Sequence, residues 1–131
     1  MENAEHGREP GAPQVRVLIV DPHASFRGAC KALLQTAGLA VVADLERCED
    51  AEDVATALRP DVVLIDVSPP QIEGLELARR LAALAQPPAI VLMSATPADA
   101  ILASSAGADL FLPKADVTAD AIAQAARNPR S

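Results

Sequence analysis

The sequence predicts an α/β domain built on a parallel sheet covered by helices on both faces. Two observations carry this. Apolar runs of strand length alternate with segments of helical periodicity, and the connections between them are short. Strands joined in this way run parallel and need helices above and below to hide them from water.

Residues 1–14 carry charge, Gly and Pro but no periodic apolar residues, so a disordered tail is expected ahead of one folded domain over residues 15–131. Val15 to Val20 reads as the first buried strand. Phe26, Cys30, Leu33 and Ala37 then recur at helical spacing until Gly38 supplies a stop. Leu39 to Ala43 is a short second strand. Ala51 to Leu58 is a short helix with Asp50 at its N-cap, and Val62 to Ile65 is the third strand. Leu75, Ala78, Leu81 and Ala85 mark one face of a third helix, ended by Pro87 and Pro88, and Ala89 to Met93 makes the fourth strand. Pro97 opens a fourth helix that runs through Ile101 and Leu102 and stops at Gly107. Leu110 to Leu112 is a fifth strand, and Thr118 to Arg127 a final helix.

A chain of 131 residues suits one domain with a real core. Half of it is apolar but only two residues are aromatic, both Phe, so the core is expected to consist of small aliphatic side chains. The net charge of −7 has the wrong sign for a phosphate backbone, and no Lys/Arg cluster offsets it, which argues against direct nucleic-acid binding. Cys30 and Cys48 lack metal or redox spacing and are too few for a disulfide framework, so reduced thiols are expected. No apolar run reaches the roughly 18 residues of a membrane span, and the acidic N-terminus has no apolar signal region. A soluble, cytoplasmic protein is expected.

Chemistry is expected where the strands end. Asp66 closes an apolar run and precedes the Pro-containing turn Val67-Ser68-Pro69-Pro70, which delivers a lone carboxylate to the carboxyl edge of the sheet. Asp21 follows strand one, Ser94 strand four and Lys114 strand five. Parallel strands bring all four to one edge, giving a pocket of two acids, a hydroxyl and an ammonium.

These pieces resemble the receiver domain of bacterial two-component response regulators. The likeness rests on Val17-Leu18-Ile19-Val20-Asp21, on Asp66 with Pro70 and Gly74 downstream, on Leu92-Met93-Ser94-Ala95, and on Gly107-Ala108-Asp109-Leu110-Phe111-Leu112-Pro113-Lys114, in order from Val15 to about Arg127. It implies a flavodoxin-like (βα)5 fold with strand order 2-1-3-4-5. It also implies that Asp66 is the phosphoacceptor, a carboxylate nucleophile that becomes an aspartyl phosphate. Ser94 and Lys114 would bind phosphoryl oxygens. Mg²⁺ would be held by Asp21, Asp66 and the backbone carbonyl of Ser68, and Ser94 with Phe111 would form a switch that alters the face made by the fourth helix, fifth strand and fifth helix. Partners implied are a histidine kinase or phosphotransfer protein and an unidentified downstream protein, with that same face available for a homodimer. No enzyme activity is implied. The stretch from Ala115 to Ser131 has room for one helix and no DNA-binding domain, so a stand-alone receiver is expected.

One departure bears on the metal. Receivers usually carry two adjacent acids after strand one, and here the second is Pro22, which has no side-chain oxygen, so Mg²⁺ binding is expected to be weakened. The same pair reads equally as a helix start, with Asp21 as N-cap and Pro22 at the first helical position. Ser94 can be read as a helix cap, Lys114 as a surface lysine, Phe111 as a core ring, and His23 as a polar residue in the first turn of the first helix. Pro22 thus supports an alternative function, a degenerate receiver acting as a phosphorylation-independent interaction module. Other classes fit less well. A dehalogenase-like phosphatase needs an Asp where Ser68 stands, a flavodoxin needs a Ser/Thr-rich loop after strand one, and a D-x-H-x-x-G cobalamin module needs Gly where Phe26 stands.

Overall fold

In the computed structural model, residues 14–68, 72–95 and 107–127 are described. The chain forms β1 (Arg16–Val20), α1 (Ala24–Thr36), β2 (Ala40–Leu45), α2 (Ala51–Leu58), β3 (Val62–Asp66), α3 (Glu73–Ala82), β4 (Ala89–Ser94), β5 (Leu110–Pro113) and α4 (Ala119–Arg127). The five strands make one parallel sheet in the order β2-β1-β3-β4-β5, the flavodoxin-like order. Among the described residues, no helix is long and apolar enough to cross a membrane.

Alternation of side chains along the buried strands divides the core into two layers. Leu18, Val20, Val63, Ile65, Ile90 and Leu92 face α2 and α3, where Ala51, Ala55, Leu77 and Leu81 cover them. Val17, Ile19, Val62, Leu64, Val91 and Met93 face Cys30 and Leu34 of α1 and Ile122 and Ala125 of α4. The largest fully buried side chains are Leu, Ile, Met and Val, as the scarcity of aromatics requires. Burial pushes the Cys30 thiol up to about 11, with the Asp21 charge adding to the shift and Lys114 opposing it.

Several element ends differ from the sequence expectation. The buried stripe of α1 runs through Cys30 and Leu34, four residues apart, and leaves Leu33 at 46% exposure. Helix α1 begins after His23, so Asp21 and Pro22 belong to the connection rather than to the helix. Asp50 stands at the N-cap of α2 but makes no side-chain capping bond, because the 3-10 turn Cys48–Asp50 already gives it helical dihedrals. Strand β2 continues to Leu45, and α3 ends at Ala82, leaving Ala85 exposed beyond it. Thr118 caps α4, its hydroxyl accepting from the Ala121 amide at 3.1 Å. The helix predicted from Pro97 falls on residues outside those described, which resume at Gly107 with a φ of +81° that glycine adopts without strain. Of the predicted tail, Gln14 is described, and its amide donates to the Gly38 carbonyl at 2.9 Å.

Gly74 sets how closely α3 approaches the end of β3. A Cβ there would stand 2.6 Å from the Asp66 carbonyl oxygen and 3.0 Å from side-chain atoms of both Ile65 and Val67. Backbone cannot yield as a flexible side chain does, so Gly74→Ala must push α3 away from the strand that presents Asp66. Despite the better helix propensity of Ala, the variant is expected to lose about 1–3 kcal/mol in urea unfolding. Unchanged or raised stability would show that the helix can shift at no cost.

Candidate functional site

The carboxyl ends of β1 and β3 and the turn after β5 meet in one cluster of polar side chains. Asp21, which directly follows β1, is completely buried and fixed on three sides. Its amide donates to the Leu45 carbonyl at 2.9 Å, which ties it to the end of β2. Its carbonyl accepts from Arg27 Nη1 at 2.7 Å, and its Oδ1 accepts from the His23 amide at 2.8 Å, which ties it to the start of α1.

Asp66 is the last residue of β3 and is only 3% exposed. Its Oδ1 accepts from the Ser68 hydroxyl at 2.7 Å, and that hydroxyl in turn accepts from the Ala95 amide at 3.0 Å. The acid is thereby linked to the residue that follows Ser94. Its Oδ2 is buried and has no hydrogen-bond partner among the described residues. Such an atom carries a desolvation cost unless a cation or donor reaches it.

Lys114 opens the 3-10 turn Lys114–Asp116 after β5 and reaches back between the acids. Its Nζ lies 2.8 Å from Asp21 Oδ2, 3.2 Å from Asp66 Oδ1 and 3.2 Å from His23 Nδ1, and 4.5 Å over the centre of the Phe26 ring. The approach to Asp21 Oδ2 is an ion pair without the alignment of a hydrogen bond. One ammonium therefore stands against two buried carboxylates, and the residual negative charge in a poorly screened site favours a further cation.

Asp21, Asp66, Ser68 and Lys114 are thus brought together. Ser94 ends β4 and is buried, in register with Pro113 of β5, whereas Phe111 is half-buried on β5 opposite Leu92 and packs on the α2/α3 side of the core. Sequence reasoning missed two contributors. His23 is not a residue of the first turn of α1: it stands at the N-cap, and its Nδ1 lies 2.9 Å from Asp21 Oδ1. A signal existed, because a residue two beyond a strand-end acid in a tight turn falls on the same edge. The Ser68 hydroxyl was overlooked because only its carbonyl was considered.

Asp21, His23 and Asp66 each offer a ligand atom, and these atoms all lie within 4.8 Å of one another. With the orphaned Asp66 Oδ2, this donor set fits a divalent cation. Pro22 offers no side-chain oxygen and lines a neighbouring cleft with Cys48, Glu73 and Arg80. A larger cleft among the described residues, lined by Arg59, Pro60, Gln86 and Pro87, lies away from all of these residues.

Comparison with known proteins agrees with this geometry. Residues 17–127 match the family described as "Response regulator receiver domain". A gliding motility regulatory protein of Myxococcus xanthus is 36% identical over 88% of this chain and 15% of its own length. Response regulator GacA of Pseudomonas aeruginosa is 44% identical over 51% of this chain and 32% of its own. The chain therefore spans less than a third of either relative. Among solved structures, the signal receiver domain of the putative response regulator NarL from Mycobacterium tuberculosis superposes with a TM-score of 0.79 at 30% identity, covering 88% of this chain and 98% of that one. A strand-end acid pocket on a 2-1-3-4-5 sheet, a family match spanning nearly the whole described chain and this structural likeness agree: the chain belongs to the response regulator receiver domain family of two-component signalling.

Proposed function

We propose that the protein accepts a phosphoryl group on Asp66 from a histidine kinase or phosphotransfer protein and signals through protein contacts as a single receiver unit. The observation that carries this reading is the Asp66 carboxylate itself: held through Oδ1 by Ser68 and Lys114, it keeps Oδ2 without a hydrogen-bond partner among the described residues. In the transfer, a carboxylate oxygen forms a bond to phosphorus as the donor's phosphorus–nitrogen bond breaks, and the electron pair returns to the departing imidazole. Lys114 is placed to hold a phosphoryl oxygen and to offset charge added to a buried site. Ser94, at the end of the neighbouring strand, is the hydroxyl proposed to take a second phosphoryl oxygen. Phe111, on the next strand again, is the ring proposed to respond. Asp21, Asp66 and the Ser68 carbonyl would hold Mg²⁺, which neutralises charge between acid and phosphate when bound; Pro22 leaves that site short of one oxygen.

Intact mass spectrometry after acetyl phosphate treatment, with and without Mg²⁺, tests the reading. One added phosphoryl group is expected with the metal, and peptide mapping is expected to place it in the β3 segment. Absence of labelling under all conditions would instead favour the phosphorylation-independent interaction module. That second reading draws on two observations: Pro22 in place of an acid, and an ammonium already paired with both carboxylates.

A further inference from the structure

We propose that His23 takes the place of the acid missing at Pro22 as a metal ligand, so that Asp21, His23 and Asp66 form a mixed oxygen and nitrogen site selective for a borderline divalent ion such as Zn²⁺. Three observations converge on it. First, Asp21 Oδ1 and His23 Nδ1 lie 2.9 Å apart. Adjacent ligands on an ion with bonds of about 2.0–2.2 Å stand about 2.8–3.1 Å apart in an octahedron and about 3.3–3.6 Å apart in a tetrahedron, so these two atoms have the spacing of octahedral neighbours and part by about half an ångström around a tetrahedral ion.

Second, Lys114 Nζ touches one atom of each of the three residues, at 2.8 Å for Asp21, 3.2 Å for Asp66 and 3.2 Å for His23. A positive charge therefore already sits among the donors, as a stand-in for the ion. The ammonium carries only donors and the Asp21 carboxylate only lone pairs, so the two contacts of Nδ1 ask for opposite positions of the imidazole proton. The tautomer with its proton on Nε2, the one the Lys114 contact favours, is the one that ligates a metal through Nδ1. In this tautomer the 2.9 Å approach between Nδ1 and Asp21 Oδ1 brings two lone-pair bearers together, an arrangement a shared cation relieves. Third, Asp66 Oδ2 is buried and without a hydrogen-bond partner among the described residues, leaving a carboxylate oxygen in reserve beside the cluster.

Imidazole nitrogen changes the ion preferred. Mg²⁺ takes oxygen ligands in a strict octahedron, whereas Zn²⁺ and its first-row neighbours accept His nitrogen readily. The imidazole is more than half exposed, so an ion can reach it from solvent. Entry of that ion displaces the Lys114 ammonium from among the donors.

The test uses the full chain and no phosphodonor, so its failure and failure of phosphoryl acceptance are separable. Zn²⁺ and Mg²⁺ are titrated separately by calorimetry and by ¹⁵N NMR, with the Asp21, His23 and Asp66 amides as reporters. All proteins carry Cys48→Ser to remove an accessible thiol, and overlay of metal-free spectra checks that each variant is folded. His23→Ala is expected to weaken Zn²⁺ about tenfold or more while changing Mg²⁺ less than about twofold. Pro22→Asp is expected to strengthen Mg²⁺ and to reduce the effect of removing His23, because it restores an oxygen ligand. Undiminished Zn²⁺ affinity in His23→Ala overturns the proposal, as does an equal loss for both ions, which would mean that His23 only shapes the acidic pocket.

Discussion

Asp66→Asn is expected to abolish phosphoryl incorporation and, at the same time, to stabilise the fold. An amide lacks the charge and the free lone-pair density of a carboxylate nucleophile, so intact mass after acetyl phosphate should show no adduct at all. Stability should rise because the wild-type site holds two buried carboxylates against one ammonium, with one oxygen of Asp66 without a hydrogen-bond partner among the described residues. Removing one charge relieves both the repulsion and the desolvation cost. A gain of about 1–2 kcal/mol in urea unfolding is the expected size, typical of acids kept for function at the expense of stability. Persistent labelling of the variant would move the acceptor elsewhere. Abolished labelling with a loss of stability would show that the carboxylate is part of the structural framework.

Lys114→Ala acts in the opposite direction. The sequence alone points to a variant that folds almost as well as wild type, since a lysine that serves the phosphorylated state acts on charge absent from the resting protein. The structure changes that expectation: the side chain is only 14% exposed and its Nζ touches Asp21, Asp66 and His23 while lying over Phe26. Its removal strands two buried carboxylates, and breaking such a pair costs on the order of 3 kcal/mol. Thermal or urea unfolding checks this, and the double variant Lys114→Ala with Asp66→Asn should recover much of the loss, because the two side chains share one interaction. Strictly additive effects would show that the ion pair contributes little. In the phosphorylation assay the single variant should also respond weakly to the phosphodonor, since the charge that offsets the added phosphate is gone.

Alternation of buried runs with helical segments determined the sheet and its parallel sense. It also placed Asp21, Asp66, Ser94 and Lys114 at strand ends, because period and turn chemistry are local properties that a single sequence displays. Element ends were less legible where neighbours intervene. Leu33 and Leu34 are adjacent and equally apolar, and only packing against the sheet decides that Leu34 is buried. Asp50 has the chemistry of an N-cap, but the preceding 3-10 turn removes the geometry that a capping side chain needs. The pocket shows the same division. Strand ends are sequence information, whereas the meeting of His23 with Lys114 across 91 residues is not. Likewise the Ser68 hydroxyl joins Asp66 to Ala95 through side-chain torsions that no periodicity encodes. The sequence by itself therefore determined which strand-end residues reach the carboxyl edge of the sheet. Only the tertiary structure decided which of them share a charge there, because contact between distant segments is set by how strands register and how side chains turn once the core has packed.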